Sequence, residues 1–109
     1  MQLIDNAQVS KLHFAGNSLQ ILAGADHGLK TIEVLFLTIE PGRETPPNLH
    51  NGEVAFVTLR GIGQGIVDGE SIDLKPDTTL IIPPNASRQV VNTGKEPLNL
   101  LIIRSLIPA

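Results

Sequence analysis

Residues 54–74 read VAFVTLRGIGQGIVDGESIDL. Three short β-rich runs, Val54 to Arg60, Ile62 to Val67 and Ser71 to Leu74, are separated by Gly61 and by Asp68-Gly69. Asp-Gly accepts positive φ at both centres of a type I′ turn, so the last two runs read as a hairpin. The same rhythm continues outward on both sides. Leu19 to Leu22 and Ile32 to Glu40 precede it; Thr79 to Ile82, Arg88 to Asn92 and Leu98 to Ile107 follow, with Gly, Pro, Asn and Asp between the runs. Asn51-Gly52 reads as a second hairpin turn. No stretch keeps the roughly 3.6-residue apolar period of a helix. Recurrent short strands of this kind predict an all-β sandwich or barrel, one domain over residues 1–109.

Composition narrows the function classes. Val, Ile and Thr total 26 against 7 Ala, a balance that favours strand. With no Cys, disulfides, thiolate metal sites and a cysteine nucleophile are excluded. A formal charge of -3 argues against a nucleic-acid partner. No Trp, no Tyr and three Phe argue against stacking on bases or sugars. The opening MQLIDNAQVS has no basic stretch followed by an apolar core, and no apolar run approaches the roughly 20 residues that span a bilayer. The expectation is a cytoplasmic protein without a membrane partner.

Two runs are apolar on both faces, Val34-Leu35-Phe36-Leu37 and Leu98 with Leu100 to Ile103. A half-exposed antiparallel strand alternates instead. A second cover is therefore expected, most simply a homodimer partner. The alternative cover is the N-terminal segment 1–18, with Ile4, Val9, Leu12 and Phe14, acting as a flap or a dimer-exchange arm.

Two further stretches carry a family resemblance. Gly42 is followed by five residues, then Asn48-Leu49-His50, Glu53 and Gly61. After fifteen residues come Asp77, five more residues, Pro83-Pro84-Asn85, Arg88 and Asn92. In order and spacing these resemble the two signatures of the cupin family, small jelly-roll barrels also described as double-stranded β-helices (RmlC-like). The resemblance implies such a barrel. It also implies a divalent metal held by two His and a Glu of the first signature and one His of the second. This chain departs from that set. Asn48 and Arg88 stand at two of the His positions, and His50 alone is unchanged. Counting back from Gly61 puts Val54 at the Glu position, whereas a bulge around Leu59-Arg60 would restore Glu53; both registers stay open. Asp77 and Asn85 replace family glycines and are residue types that tolerate left-handed backbone.

Arg has no lone pair to give a metal and keeps its charge, and Asn48 offers only a neutral amide oxygen. A guanidinium in an apolar barrel needs an anion. Glu53 is one candidate partner for Arg88, and a bound ligand is the other. The ligand-binding set is therefore Asn48, His50, Glu53 and Arg88. The first function class is a barrel that binds a small anionic or polar metabolite with its metal site lost or weakened, and no cofactor. The second is a metal-dependent cupin enzyme of the dioxygenase, isomerase or cyclase class, with one divalent transition metal on His50 and Glu53. The third is a non-catalytic structural module with a plugged barrel. Metal-free acid–base chemistry with His50 or Glu53 as base stays open, and no catalytic residue is assigned. Gly61-x-Gly63-x-Gly65 reads as strand-edge glycine rather than a phosphate loop, because no helix follows. Arg43-Glu44 reads as a solvated loop pair, and Asn92 as structural.

Overall fold

The computed structural model describes residues 1–106. The β-rich runs become β2 (Asn17–Ala23), β3 (Ile32–Ile39), β4 (Val54–Arg60), β5 (Gly63–Val67), β6 (Glu70–Leu74), β7 (Thr78–Ile82), β8 (Arg88–Asn92) and β9 (Leu98–Ser105). A short β1 (Leu12–Phe14), unexpected from the sequence, precedes them. The end of the last expected run, at Ile107, lies outside the described residues. The strands form an antiparallel sheet in the order β1-β2-β3-β9-β4-β7, faced by a smaller one ordered β6-β5-β8. This is the expected jelly roll. No helix among the described residues is long and apolar enough to cross a membrane.

Turn chemistry explains much of the path. Asp68 and Gly69 both take positive φ (48° and 82°), as the β5–β6 hairpin requires. Asp77 and Asn85 sit in the left-handed region at 66° and 64°, so these two short polar residues do replace glycine. Asn51 and Gly52 are not among the positive-φ residues, and the chain there does not turn into a hairpin. The segment before them runs beside β8 instead. Asn48 and Arg88 exchange both backbone N–H···O bonds at 2.9 Å, and the Thr45 N–H donates to the Val90 carbonyl at 2.9 Å. Residues 43–48 thus extend the smaller sheet. Pro46 and Pro47 lack N–H donors, which limits the pairing to isolated bridges at Glu44 and Asn48. The expected solvated loop is in this respect a sheet edge.

Alternation along the strands builds the core. Leu98, Leu100 and Ile102 of β9 face inward with Leu35, Leu37 and Ile39 of β3 and with Val54 and Phe56 of β4. Ile39, Leu98 and Leu100 are completely buried and close the base of the barrel. Asn92 finishes β8 there. Its amide donates to the Ile39 and Glu96 carbonyls at 2.8 Å each, and its oxygen accepts from the Gly94 N–H at 2.8 Å. The outward residues Val34, Phe36, Val57, Leu101 and Ile103 are apolar and half-buried. The N-terminal segment lies on the β2 side of that face: Gln20 pairs in register with Phe36 and shares its face, and its amide donates to the Asn6 and Val9 carbonyls at 3.1 and 3.0 Å.

Gly63 of β5 leaves no room for a side chain between β8 beside it and Leu98 of the facing sheet. A Cβ added there would lie 2.4 Å from the Val91 carbonyl oxygen and 2.6 Å from Leu98 Cδ2. The first obstacle is backbone in the adjoining strand β8 and cannot swing aside. Gly63→Ala is expected to lower the unfolding free energy by about 1–3 kcal/mol, the usual cost of overpacking, measured by urea denaturation. An unchanged midpoint would contradict this account of the β5–β8 contact.

Candidate functional site

The two sheets part at the end opposite Asn92 and leave a cavity of about 260 Å³. Its apolar wall comes mainly from the large sheet, including Leu35, Leu37, Val54, Phe56 and Ile102, with Phe14 and Leu19 from β1 and β2. Thr45, Pro46, Pro47 and Asn48 form one rim, and Arg88 and Val90 of β8 face the large sheet. Four polar side chains line it: Thr45, Asn48, Arg88 and Arg104.

Period-two geometry places the two arginines. Arg88 and Asn92 share the inward row of β8 with Val90, so one strand puts a guanidinium in the cavity and a bonded amide at the base. Arg104 continues the inward row Leu98, Leu100, Ile102 of β9. It pairs in register with Glu33 on one side and Val54 on the other. The Arg104 Nε–H donates to the Glu33 carboxylate in the one ion pair among the described residues.

Arg88 has no such partner. It is 6% exposed, and Nη1 is buried without a hydrogen bond among the described residues. Thr58 Oγ1 and Ser105 Oγ are also buried and unpartnered, but Arg88 alone among them carries charge. Burial pushes its pKa down, and the positive charge of Arg104 pushes the same way. The other two polar groups have their acceptors engaged. Asn48 Oδ1 accepts from the Leu49 N–H at 2.8 Å, leaving its NH₂. Thr45 Oγ1 accepts from the Val90 N–H at 2.9 Å, leaving its O–H. Every polar group on the wall thus retains a hydrogen-bond donor.

The structure brings Arg88 and Asn48 together and leaves His50 and Glu53 outside the lining. The His50 Nε2–H donates to the Ser105 carbonyl at 2.9 Å, which ties the rim to β9. Of the two registers left open, the strand has the bulge near Leu59: Thr58 pairs with Leu100 and Arg60 with Asn99, so Leu59 is the extra residue. Yet Val54, buried to 3% exposure, faces the cavity, and Glu53 is exposed. Glu53 uses its carbonyl to accept the Ser105 N–H at 3.0 Å. The envisaged Arg88–Glu53 pair is therefore not formed, because adjacent strand residues point to opposite faces. Among the described residues no three His, Cys, Asp or Glu side chains cluster as a metal site would. Arg104 and Thr45 are site residues that the sequence reading missed. Arg104 was within reach of it, two residues beyond Ile102 on the apolar row.

A jelly roll with its cavity at this end and both signatures along its rim defines a cupin barrel. The family model for the cupin domain matches residues 35–104, and the chain belongs to that family. Over 91 residues it is 38% identical to auxin-binding protein 1 of Arabidopsis thaliana, covering 75% of this chain and 46% of that one. With auxin-binding protein T85 of Nicotiana tabacum the identity is 36% over 108 residues, 86% of this chain and 57% of the other. The chain thus spans about half the length of the curated relatives it matches. Among solved structures, the polyketide cyclase RemF from Streptomyces resistomycificus superposes with a TM-score of 0.83 at 17% identity, over 96% of this chain and 79% of that one. At that identity the likeness is one of fold.

A buried cation without a partner is destabilising. Arg88→Met, which keeps the length and drops the charge, is expected to raise the unfolding free energy of the ligand-free protein by about 1–3 kcal/mol. Urea denaturation measures it. Marked destabilisation by this variant would mean that the guanidinium holds the fold together.

Proposed function

We propose that this chain is a ligand-binding cupin whose barrel takes a small organic anion on Arg88, without a resident metal. One observation carries the reading: a buried guanidinium with no protein partner, in an apolar cavity whose polar groups all retain donors. In the proposed complex the carboxylate lies on Arg88, with Asn48 Nδ2 and the Thr45 hydroxyl as further donors. The hydrocarbon body lies against Leu35, Phe56 and Ile102. Relatives named for binding auxin support a small-molecule ligand.

The donor set supports the absence of a metal from this proposal. The residues at the family's ligand positions do not fit a divalent ion. Arg88 offers no lone pair and repels a cation, the His50 ring is turned to the Ser105 carbonyl, and Glu53 lies on the outside. A cytoplasmic location belongs to the same proposal and rests on the sequence reading alone.

Isothermal titration of the untagged protein tests this. Benzoate and indole-3-acetate are expected to bind and to raise the melting temperature, and neutral indole to bind more weakly. Arg88→Met is expected to lower the affinity for both acids by about 10- to 100-fold, the value of a hydrogen-bonded charge pair. No binding of either acid would overturn the proposal. So would a stoichiometric divalent metal that Arg88→Met leaves in place and His50→Ala removes.

A homodimer is the second part of the proposal. It is supported by the apolar outward row Val34, Phe36, Val57, Leu101 and Ile103, which runs on across β9 and β4, beyond the β2 side where the N-terminal segment bonds to Gln20. Sedimentation equilibrium is expected to give twice the 11.7 kDa chain mass, and Leu101→Lys to give the single chain. A monomeric parent protein would contradict it.

A further inference from the structure

The cavity holds a second guanidinium that differs from the first in one respect. Arg88 has no counter-charge, whereas Arg104 is joined through Nε to Glu33. Both arginines line the same cavity, and Glu33 is not part of its wall. Two guanidinium cations and one carboxylate leave this end of the barrel with a net charge of plus one. His50 is turned toward the Ser105 carbonyl, and the Glu53 side chain is exposed, so neither alters that balance at the wall.

Resting on the anion-site reading above, the geometry points to the Glu33–Arg104 pair as the determinant of ligand class: it restricts the cavity to organic monoanions and offers their far end an uncharged contact. A guanidinium has five N–H donors. Nε–H is spent on Glu33, and the terminal nitrogens have no hydrogen-bond partner among the described residues. They can donate to a neutral oxygen, such as a carbonyl, ether or nitro group, without needing its charge. A second carboxylate at that place gains little. Glu33 already balances Arg104, and Asn48 and Thr45 serve the first carboxylate in the proposed complex, so the second loses hydration that only uncharged or apolar wall would replace.

Isosteric acids separate charge from size, because a nitro group has the shape of a carboxylate and no net charge. The pairs are 3-nitrobenzoate with isophthalate and 3-nitropropanoate with succinate, titrated calorimetrically near neutral pH. The parent protein is expected to bind each nitro monoanion at least about tenfold more tightly than its dianion, the scale of one charge-assisted hydrogen bond. Glu33→Gln releases the charge of Arg104 and is expected to reverse the order within each pair. The double variant Glu33→Gln/Arg104→Gln restores a net charge of plus one and is expected to restore the monoanion preference.

Equal affinities within a pair for the parent protein, or a dianion preference, would overturn the inference while leaving the anion site standing. An unaltered ratio in Glu33→Gln would overturn it likewise. Should Glu33→Gln fail to fold, the parent ratio and the double variant decide. If none of the four acids, and neither benzoate nor indole-3-acetate, binds the parent protein, the anion-site reading falls and this inference falls with it.

Discussion

One strand carries the constraint on which the rest depends. Arg88 and Asn92 lie on the same inward row of β8, two steps apart on either side of Val90. At the base, every polar atom of the Asn92 amide is engaged, by Ile39, Glu96 and Gly94. At the cavity, the Arg88 guanidinium has no partner among the described residues. Buried polar groups in folded proteins are almost always satisfied, and a buried cation without a partner is the costliest exception. The barrel tolerates it because β8 is held between β5 and the 43–48 segment, while the closed base supplies the packing. Stability at one end underwrites an unsatisfied charge at the other, a division familiar where function and stability compete.

Much of this was legible in the chain. The strand boundaries Val54–Arg60 and Arg88–Asn92 followed from turn residues and β-branched runs, and both are observed. Asp77 and Asn85 read as substitutes for glycine, and their positive φ bears that out. A spacing mismatch of one residue left two registers open, one of them with a bulge around Leu59-Arg60; the bulge is there, but it does not bring Glu53 to the cavity. Where the reading failed, long-range contact had decided the matter. Asn51-Gly52 has the composition of a hairpin turn, but the segment before it is recruited as an edge partner of β8. That pairing is set by residues about 40 positions away. Glu53, one residue off the family spacing, was a candidate only through a bulge, and it stays exposed while its neighbour Val54 faces in. Arg104 obeyed parity and was passed over, because its signal was a charge ending an apolar row rather than a motif.

Placed in its family, the chain keeps a shared barrel and changes the residues at its mouth. The cupin scaffold is kept, with structural likeness persisting at 17% identity. Two positions that the family resemblance assigns to imidazole hold Asn48 and Arg88 instead. Those exchanges invert the electrostatic demand of the cavity: a nest of lone pairs attracts a cation, and a nest of N–H donors attracts an anion. Fold does not fix function. In the proposed complex, the sign of the charge at residue 88 matters more to the ligand than the surrounding jelly roll.

The central claim is that the guanidinium at position 88 stays inside the barrel to meet an anion. A crystal structure of the untagged protein grown with benzoate examines it directly. The account predicts a carboxylate within hydrogen-bond distance of Arg88, its ring against Phe56 and Ile102. A divalent ion ligated by His50, or an Arg88 side chain turned out into solvent, would contradict it.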